Sequence, residues 1–310
     1  MNATSAISAW KIKLGQKSNR EMKGIIAMKQ KKHVVQLLYF SDLLSEKYPA
    51  DSANLFAALK KHNVAYGFIK GAKDVNIRGF MPIPFSRCNI AFEYAPSRPN
   101  KSPESVTDFS RDIDTDWELV NGWRPPRSYQ KSKIKLSGND ILIGNGVILS
   151  DRIFAANPRH GKSELMRELE STIMYRTDII VIPSRKDDIA GQACNMVRFL
   201  NDRTVLFDES LSEGTLGEQL QNTIQYRGLH VLEFPSAPAE GNGAVGCYLN
   251  YLETDEALFL PVFGIDSDAK AIAAAEKIFS KPVEPVMIPN LAADGMGLYG
   301  ISWGMSDCVQ

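Results

Sequence analysis

Side-chain catalysis starts from a nucleophile and a group able to move its proton, and this chain spaces both widely. It has four cysteines, Cys88, Cys194, Cys247 and Cys308, and four histidines, His33, His62, His160 and His230. A thiolate beside an imidazole would support nucleophilic catalysis near neutral pH. Yet no cysteine lies in a CxxC pair, and no histidine belongs to an HExxH motif. Neither a zinc signature nor a local Cys/His pair results. His230 sits in an apolar run and reads as a packed core residue. Pro158-Arg159-His160-Gly161-Lys162-Ser163 ends like a phosphate-binding loop, but the motif needs glycine where Ala156 stands. The expectation is free thiols in a reducing, cytoplasmic compartment, with no bound metal and no cofactor.

The elements that must position any site alternate from residue 33 onward. Strands are expected at 33–40, 64–69, 141–149, 178–182, 204–207, 230–234, 247–252 and 257–261, where short apolar runs are bounded by turn residues. Helices fit 163–175, with Ser163 as N-cap, and also 216–226 and 269–279. A further helical segment after Ser41 is interrupted by Pro49. Strand–helix–strand units repeated through one chain imply an α/β, sheet-based domain. Residues 94–133, with Trp117, Trp123, Pro125 and Pro126, break the rhythm and read as a functional loop or lid.

Composition narrows the partners. The 310 residues hold 36 basic and 36 acidic groups, with 44% hydrophobic content, so a large core is available. Eight of the basic groups and one acidic group fall in residues 1–32, which leaves 28 basic against 35 acidic groups, a net of −7. That balance gives no electrostatic reason to expect nucleic acid. No apolar stretch approaches the roughly 18 residues of a membrane span, so no membrane is expected. Residues 1–32 read as a basic, flexible extension and 33–310 as one domain.

Several longer segments say more together. They are Asn76-Ile77-Arg78-Gly79-Phe80-Met81-Pro82-Ile83, Leu136-Ser137-Gly138-Asn139-Asp140-Ile141, Ala190-Gly191-Gln192-Ala193-Cys194-Asn195-Met196-Val197-Arg198-Phe199, Gly246-Cys247-Tyr248-Leu249-Asn250-Tyr251-Leu252 and Gly297-Leu298-Tyr299-Gly300-Ile301-Ser302-Trp303. In order and spacing they resemble the agmatine deiminase and bacterial-type peptidyl-arginine deiminase family over about residues 33–304. The resemblance implies the pentein fold, a five-bladed α/β propeller of pseudo-fivefold ββαβ units around a central channel. It also implies a chemistry in which a cysteine thiolate attacks a guanidinium carbon, ammonia leaves, and water hydrolyses the intermediate. A histidine moves the protons and carboxylates hold the planar cation.

At the positions this chemistry requires, the chain departs from the family. The aspartate after the first arginine is Gly79, and the Asp-Gly-Gly-Asn turn reads Ser137-Gly138-Asn139-Asp140. The Gly-His-x-Asp motif reads Gly191-Gln192-Ala193-Cys194, and the nucleophile position is Gly300. Gln192 hydrogen-bonds but takes up no proton at physiological pH, and Gly300 offers no nucleophile. Asn250 lies in a further matching segment, facing the expected channel. The expectation is therefore a non-catalytic binding or regulatory pentein, with a small molecule or peptide in the channel and self-association into a homo-oligomer. Two alternatives keep an enzyme: a repurposed site using Cys194 with Asp140 as base, or residual deiminase activity using Cys308.

Overall fold

Short runs of Val, Ile, Leu and Phe suit a pleated surface buried on both faces, and in this chain they form strands flanked by amphipathic helices. The computed structural model describes residues 35–85, 89–96, 129–173, 178–185, 191–238, 241 and 243–306. The chain opens with β1 (Val35–Ser41), the helices α1 (Leu44–Lys47) and α2 (Pro49–Lys61), and β2 (Tyr66–Ile69), which runs parallel to β1. Pro49 begins the second helix, where its missing N–H costs nothing. Next, β3 (Ile83–Pro84) is antiparallel to β4 (Asn89–Glu93), and β4 is parallel to β5 (Tyr129–Lys135).

The pattern then recurs. Strands β6 (Ile141–Gly144) and β7 (Gly146–Ser150) are antiparallel; α3 (Arg152–Ala156) and α4 (Lys162–Ile173) cross to β8 (Ile179–Ile182), parallel to β7. The short helix α5 (Ala193–Met196) leads into β9 (Val197–Asn201), antiparallel to β10 (Thr204–Asp208). Helix α6 (Thr215–Tyr226) crosses to β11 (His230–Phe234), parallel to β10. Finally β12 (Leu252–Glu253) pairs antiparallel with β13 (Leu258–Val262), and α7 (Asp268–Ile278) crosses to the parallel β14 (Val283–Met287). After α8 (Pro289–Ala293), β15 (Trp303–Ser306) returns antiparallel to β1, so the two ends of the described chain share one sheet. Among the described residues there are five three-stranded sheets, each with the same antiparallel-then-parallel order. This is the five-bladed pentein architecture that the motifs imply.

Each crossing helix buries one stripe against its sheet. In α4 the stripe is Leu165, Leu169 and Ile173, at helical spacing, and in α7 it is Ala271, Ala274, Ala275 and Ile278. Helix α6 approaches so closely that a Cβ on Gly217 would meet the Leu211 carbonyl oxygen at 1.6 Å.

Four local expectations need correction. The run 141–149 is a hairpin, not one strand, because Asn145-Gly146 supplies a turn between two apolar arms. Residues 247–251 form turns, and only Leu252 and Glu253 are extended there. His230 is exposed at the start of β11 instead of packed. Helix α4 starts at Lys162, so Ser163 lies inside it; Gly161 precedes it, and its N–H donates to Glu164 Oε2 at 3.3 Å. Of the irregular segment 94–133, residues 129–133 belong to β5, while Trp117 and Trp123 lie outside the described residues, as does the extension 1–32.

Candidate functional site

Every blade ends on a parallel strand and hands the chain to the next blade through a connection. These five connections carry the family-motif residues: Asn76, Arg78 and Gly79 between β2 and β3; Ser137 to Asp140 between β5 and β6; Gln192 to Asn195 between β8 and β9; Asn250 between β11 and β12; Tyr299 and Gly300 between β14 and β15. Loops at equivalent places in a cyclic repeat converge, and here hydrogen bonds tie them together. Arg78 N–H donates to Gly300 O at 3.1 Å, Gly138 N–H to Gly79 O at 3.2 Å, and Cys194 N–H to Asn139 O at 3.1 Å. We call this convergence the hub.

Asparagines dominate its wiring. The Asn250 Nδ2 donates to Asn195 Oδ1 at 2.6 Å and approaches Cys194 Sγ at 3.6 Å. Its Oδ1 accepts from the backbone N–H groups of Tyr299 (3.0 Å) and Gly300 (3.3 Å). Asn139 Nδ2 donates to Asn76 Oδ1 at 2.9 Å. The Asn139 Oδ1, by contrast, is buried without a partner, an unusual state for a native polar atom. Ser137 is buried one turn away, its Oγ accepting from Asn139 N–H at 3.4 Å.

Two glycines are required by close approach. A Cβ on Gly138 would fall 2.0 Å from the Arg78 carbonyl oxygen, so the turn admits no side chain. At Gly79 a Cβ would meet Tyr94 Cε2 at 2.7 Å, because that ring occupies the adjoining space. Gly300 differs: its nearest neighbours would be Asn76 Oδ1 at 3.3 Å and Asn139 Oδ1 at 3.4 Å.

The charged members are two arginines around one ring. Arg78 Cζ lies 3.6 Å from the Tyr299 ring centroid and Arg198 Cζ 3.9 Å from it, with Arg198 also 4.4 Å from the Tyr251 ring. Arg78 Nε donates to Tyr299 O at 2.8 Å, and an Arg198 terminal nitrogen reaches Tyr251 O at 3.4 Å. Neither guanidinium is bonded to a carboxylate among the described residues. Burial, reinforced by the neighbouring Arg198 charge, pulls Arg78 below the ordinary arginine range; it remains a cation at neutral pH.

The remaining expected site residues fall as follows. Gln192 and Cys194 are buried in the hub, and burial pushes the Cys194 thiol up to about 12. Burial of this kind disfavours the thiolate. Asp140 is buried too, and desolvation raises its carboxyl to about 6, opposed by the Arg152 charge and by Ala193 N–H. It caps that N–H at 3.4 Å. Cys308 and Cys88 lie outside the described residues. The described histidines stand elsewhere: His62 contacts Glu284 at 2.9 Å, His160 approaches Glu168 at 3.5 Å, and His230 is exposed on β11. No group of three or more His, Cys, Asp or Glu that could hold a metal occurs among the described residues.

Sequence reasoning gave no role to Arg78, Arg198 or Tyr299, although all three stand in the motif segments. The available signal was a charge inside an apolar run, Met196-Val197-Arg198-Phe199-Leu200, since an arginine so placed needs a partner. Residues 300–304 also spell G-x-S-x-G, the signature of a hydrolase nucleophile elbow. The motif, absent from the sequence analysis, forms no elbow: Ser302 is fully buried, its hydroxyl donates to Tyr299 O at 3.2 Å, and it leads into a strand.

Comparison with known proteins places this geometry. Solved structures similar to the chain include an agmatine deiminase from C. jejuni, at 15% identity and a TM-score of 0.68, covering 90% of this chain and 96% of that one. The agmatine deiminase of Enterococcus faecalis gives 10% identity and a TM-score of 0.62, covering 91% and 96%. The DDAH of Pseudomonas aeruginosa gives 12% and 0.57, covering 88% and 100%. No curated protein matches the chain. The profile of the Porphyromonas-type peptidyl-arginine deiminases matches residues 132–305, more than half of the sequence and four of its five hub connections. The chain belongs to the Porphyromonas-type peptidyl-arginine deiminase family.

Proposed function

We propose that this deiminase-family pentein has lost guanidine hydrolysis and acts as a non-catalytic binding or regulatory protein, with its ligand at the hub. The observation that carries the reading is the state of Cys194. It is the hub cysteine that Asn250 Nδ2 approaches, it has no exposed surface, and burial holds its proton on up to about 12. The described histidines are engaged or exposed elsewhere, so no imidazole supports it. Gly300 carries no nucleophile where the resemblance puts one, and Gln192 cannot cycle a proton. A guanidinium entering the hub would meet Arg78 and Arg198 with no carboxylate at position 79 or 194 to offset the repulsion.

A repurposed enzyme using Cys194 and Asp140 finds less support. Asp140 is turned to the Ala193 N–H and burial disfavours the thiolate. A cytoplasmic setting fits the buried free thiols Cys194 and Cys247, and no helix among the described residues is long and apolar enough to cross a membrane. Self-association belongs to the same proposal and rests on the resemblance alone.

Equilibrium dialysis with labelled agmatine and an arginyl dipeptide tests the reading. No saturable uptake up to millimolar ligand is expected. Saturable binding of either cation in the micromolar range would overturn it.

A further inference from the structure

A site built for a cation should present acids, and this hub presents bases. Arg78 and Arg198 bring two guanidinium carbons to 3.6 and 3.9 Å from a single tyrosine ring. Their side-chain hydrogen bonds to Tyr299 O and Tyr251 O use only part of two five-donor forks. Two like charges held this close repel each other unless an anion sits between them or beside them. The only buried carboxylate in the neighbouring connection, Asp140, answers Arg152 and Ala193 N–H instead. Arg78, Arg198 and Tyr299 are each half-buried at the hub.

A second, independent feature lies one residue along the chain. Asn139 Oδ1 is buried, has no hydrogen-bond partner, and stands 3.4 Å from where a Gly300 Cβ would be. An orphaned acceptor of this kind calls for an N–H or O–H donor. Gly300 leaves the space in front of it clear of any side chain of its own.

Resting on the reading that the hub binds and does not hydrolyse, we propose that it takes a small organic carboxylate that also carries a hydroxyl or amine donor. The carboxylate is held by the fork of Arg198, whose planar geometry matches it two-fold, while Arg78, stacked on the same Tyr299 ring, adds its charge. The donor meets Asn139 Oδ1. Ligand preference is thereby inverted relative to a guanidine substrate: the same hub, stripped of acids at 79 and 194, keeps its arginines and becomes an oxyanion receptor.

The test uses the intact chain and a graded set of probes at constant ionic strength: malate, succinate, inorganic phosphate and agmatine, each followed by calorimetric titration and thermal shift. Malate should bind saturably and raise the melting temperature. Succinate, which lacks the hydroxyl, should bind several-fold more weakly. Arg198→Met keeps the alkyl stem and should weaken malate by about tenfold, the loss of one charge-assisted contact. Arg78→Lys keeps the charge but not the fork and should weaken it less. Should Arg198→Met fold poorly, the near-isosteric Asn139→Asp places an anion at the donor subsite and should abolish malate binding; it also loses the donor to Asn76 Oδ1, so a retained cooperative thermal transition is the check that it is folded. If none of the carboxylates gives a saturable isotherm, or if malate affinity is untouched in Arg198→Met and Asn139→Asp, the site does not exist as described. Phosphate displacing malate at equal concentration would overturn the assignment to a carboxylate. Agmatine binding tighter than malate would instead overturn the non-catalytic reading on which the proposal rests, so the two failures read out differently.

Discussion

Positions 79 and 300 face one hub from opposite ends of the chain, and both are glycine. By resemblance the first belongs to a carboxylate that grips the substrate and the second to the thiolate that attacks it. Their surroundings differ. Tyr94 lies over Gly79, within 2.7 Å of a would-be Cβ, and packs edge-on against Phe80 at 5.9 Å. Gly300 has only two amide oxygens within 3.4 Å of that point. The Gly79 side is thus sealed by an aromatic ring, whereas the Gly300 side is bordered by a polar network.

Four substitutions would break or sharpen this contrast, and the largest effect is expected on the polar side. Asn250→Ala removes the acceptor for two backbone N–H groups and the donor to Asn195, leaving buried groups unpaired. A loss of about 3 kcal/mol is expected in urea unfolding. Gly79→Asp forces Tyr94 aside and buries an acid; about 2 kcal/mol should be lost, and adding Tyr94→Ala should recover part of it. Full recovery without the second change would mean that the sealed side is not sealed.

Asp140→Asn probes the connection between the two glycines. Its folded carboxyl, at about 6, lies above the unfolded value of 3.8, so the folded state binds the extra proton. Stability from this group is therefore complete below pH 3.8 and falls as pH rises toward about 6, remaining low above it. The asparagine keeps the acceptor for Ala193 N–H without the charge. It should flatten that slope and add about 1–2 kcal/mol at pH 7. A wild-type stability that rises between pH 4 and pH 6, once compared with the variant, would contradict the assigned burial cost. The smallest effect belongs to Gly300→Cys. Its Cβ needs the two asparagine oxygens to give by a few tenths of an ångström, so the cost should stay under about 1 kcal/mol, with no gain of guanidine hydrolysis.

Much of the scaffold was legible because its signals are local. Strands such as β10 and helices such as α6 follow from short apolar runs and helical spacing, and both ends of each fell within a residue or so of expectation. Strand β5, Tyr-Gln-Lys-Ser-Lys-Ile-Lys, was not legible: it is a mostly exposed edge whose lysines obscure its β character. Strand β9 was hidden by Arg198, a residue kept for the hub and not for the sheet. The hub itself could be located from motif order, yet its charge could not. That Arg78 and Arg198 share one ring is a fact of closure between connections more than a hundred residues apart, and no local pattern encodes it. The covering of Gly79 by Tyr94 is equally non-local in its cause, since a glycine reads the same whether its space is filled or empty.

The account turns on whether carbon–nitrogen bond cleavage survives in this hub, and ammonia release reports that directly. Incubated at neutral pH with agmatine, free arginine and an arginyl peptide in turn, the purified chain should liberate no ammonia above the protein-free control, and Gly300→Cys should behave alike. Steady ammonia production by the wild-type chain that disappears in Cys194→Ala would contradict the account, for it would show the buried thiol to be a working nucleophile.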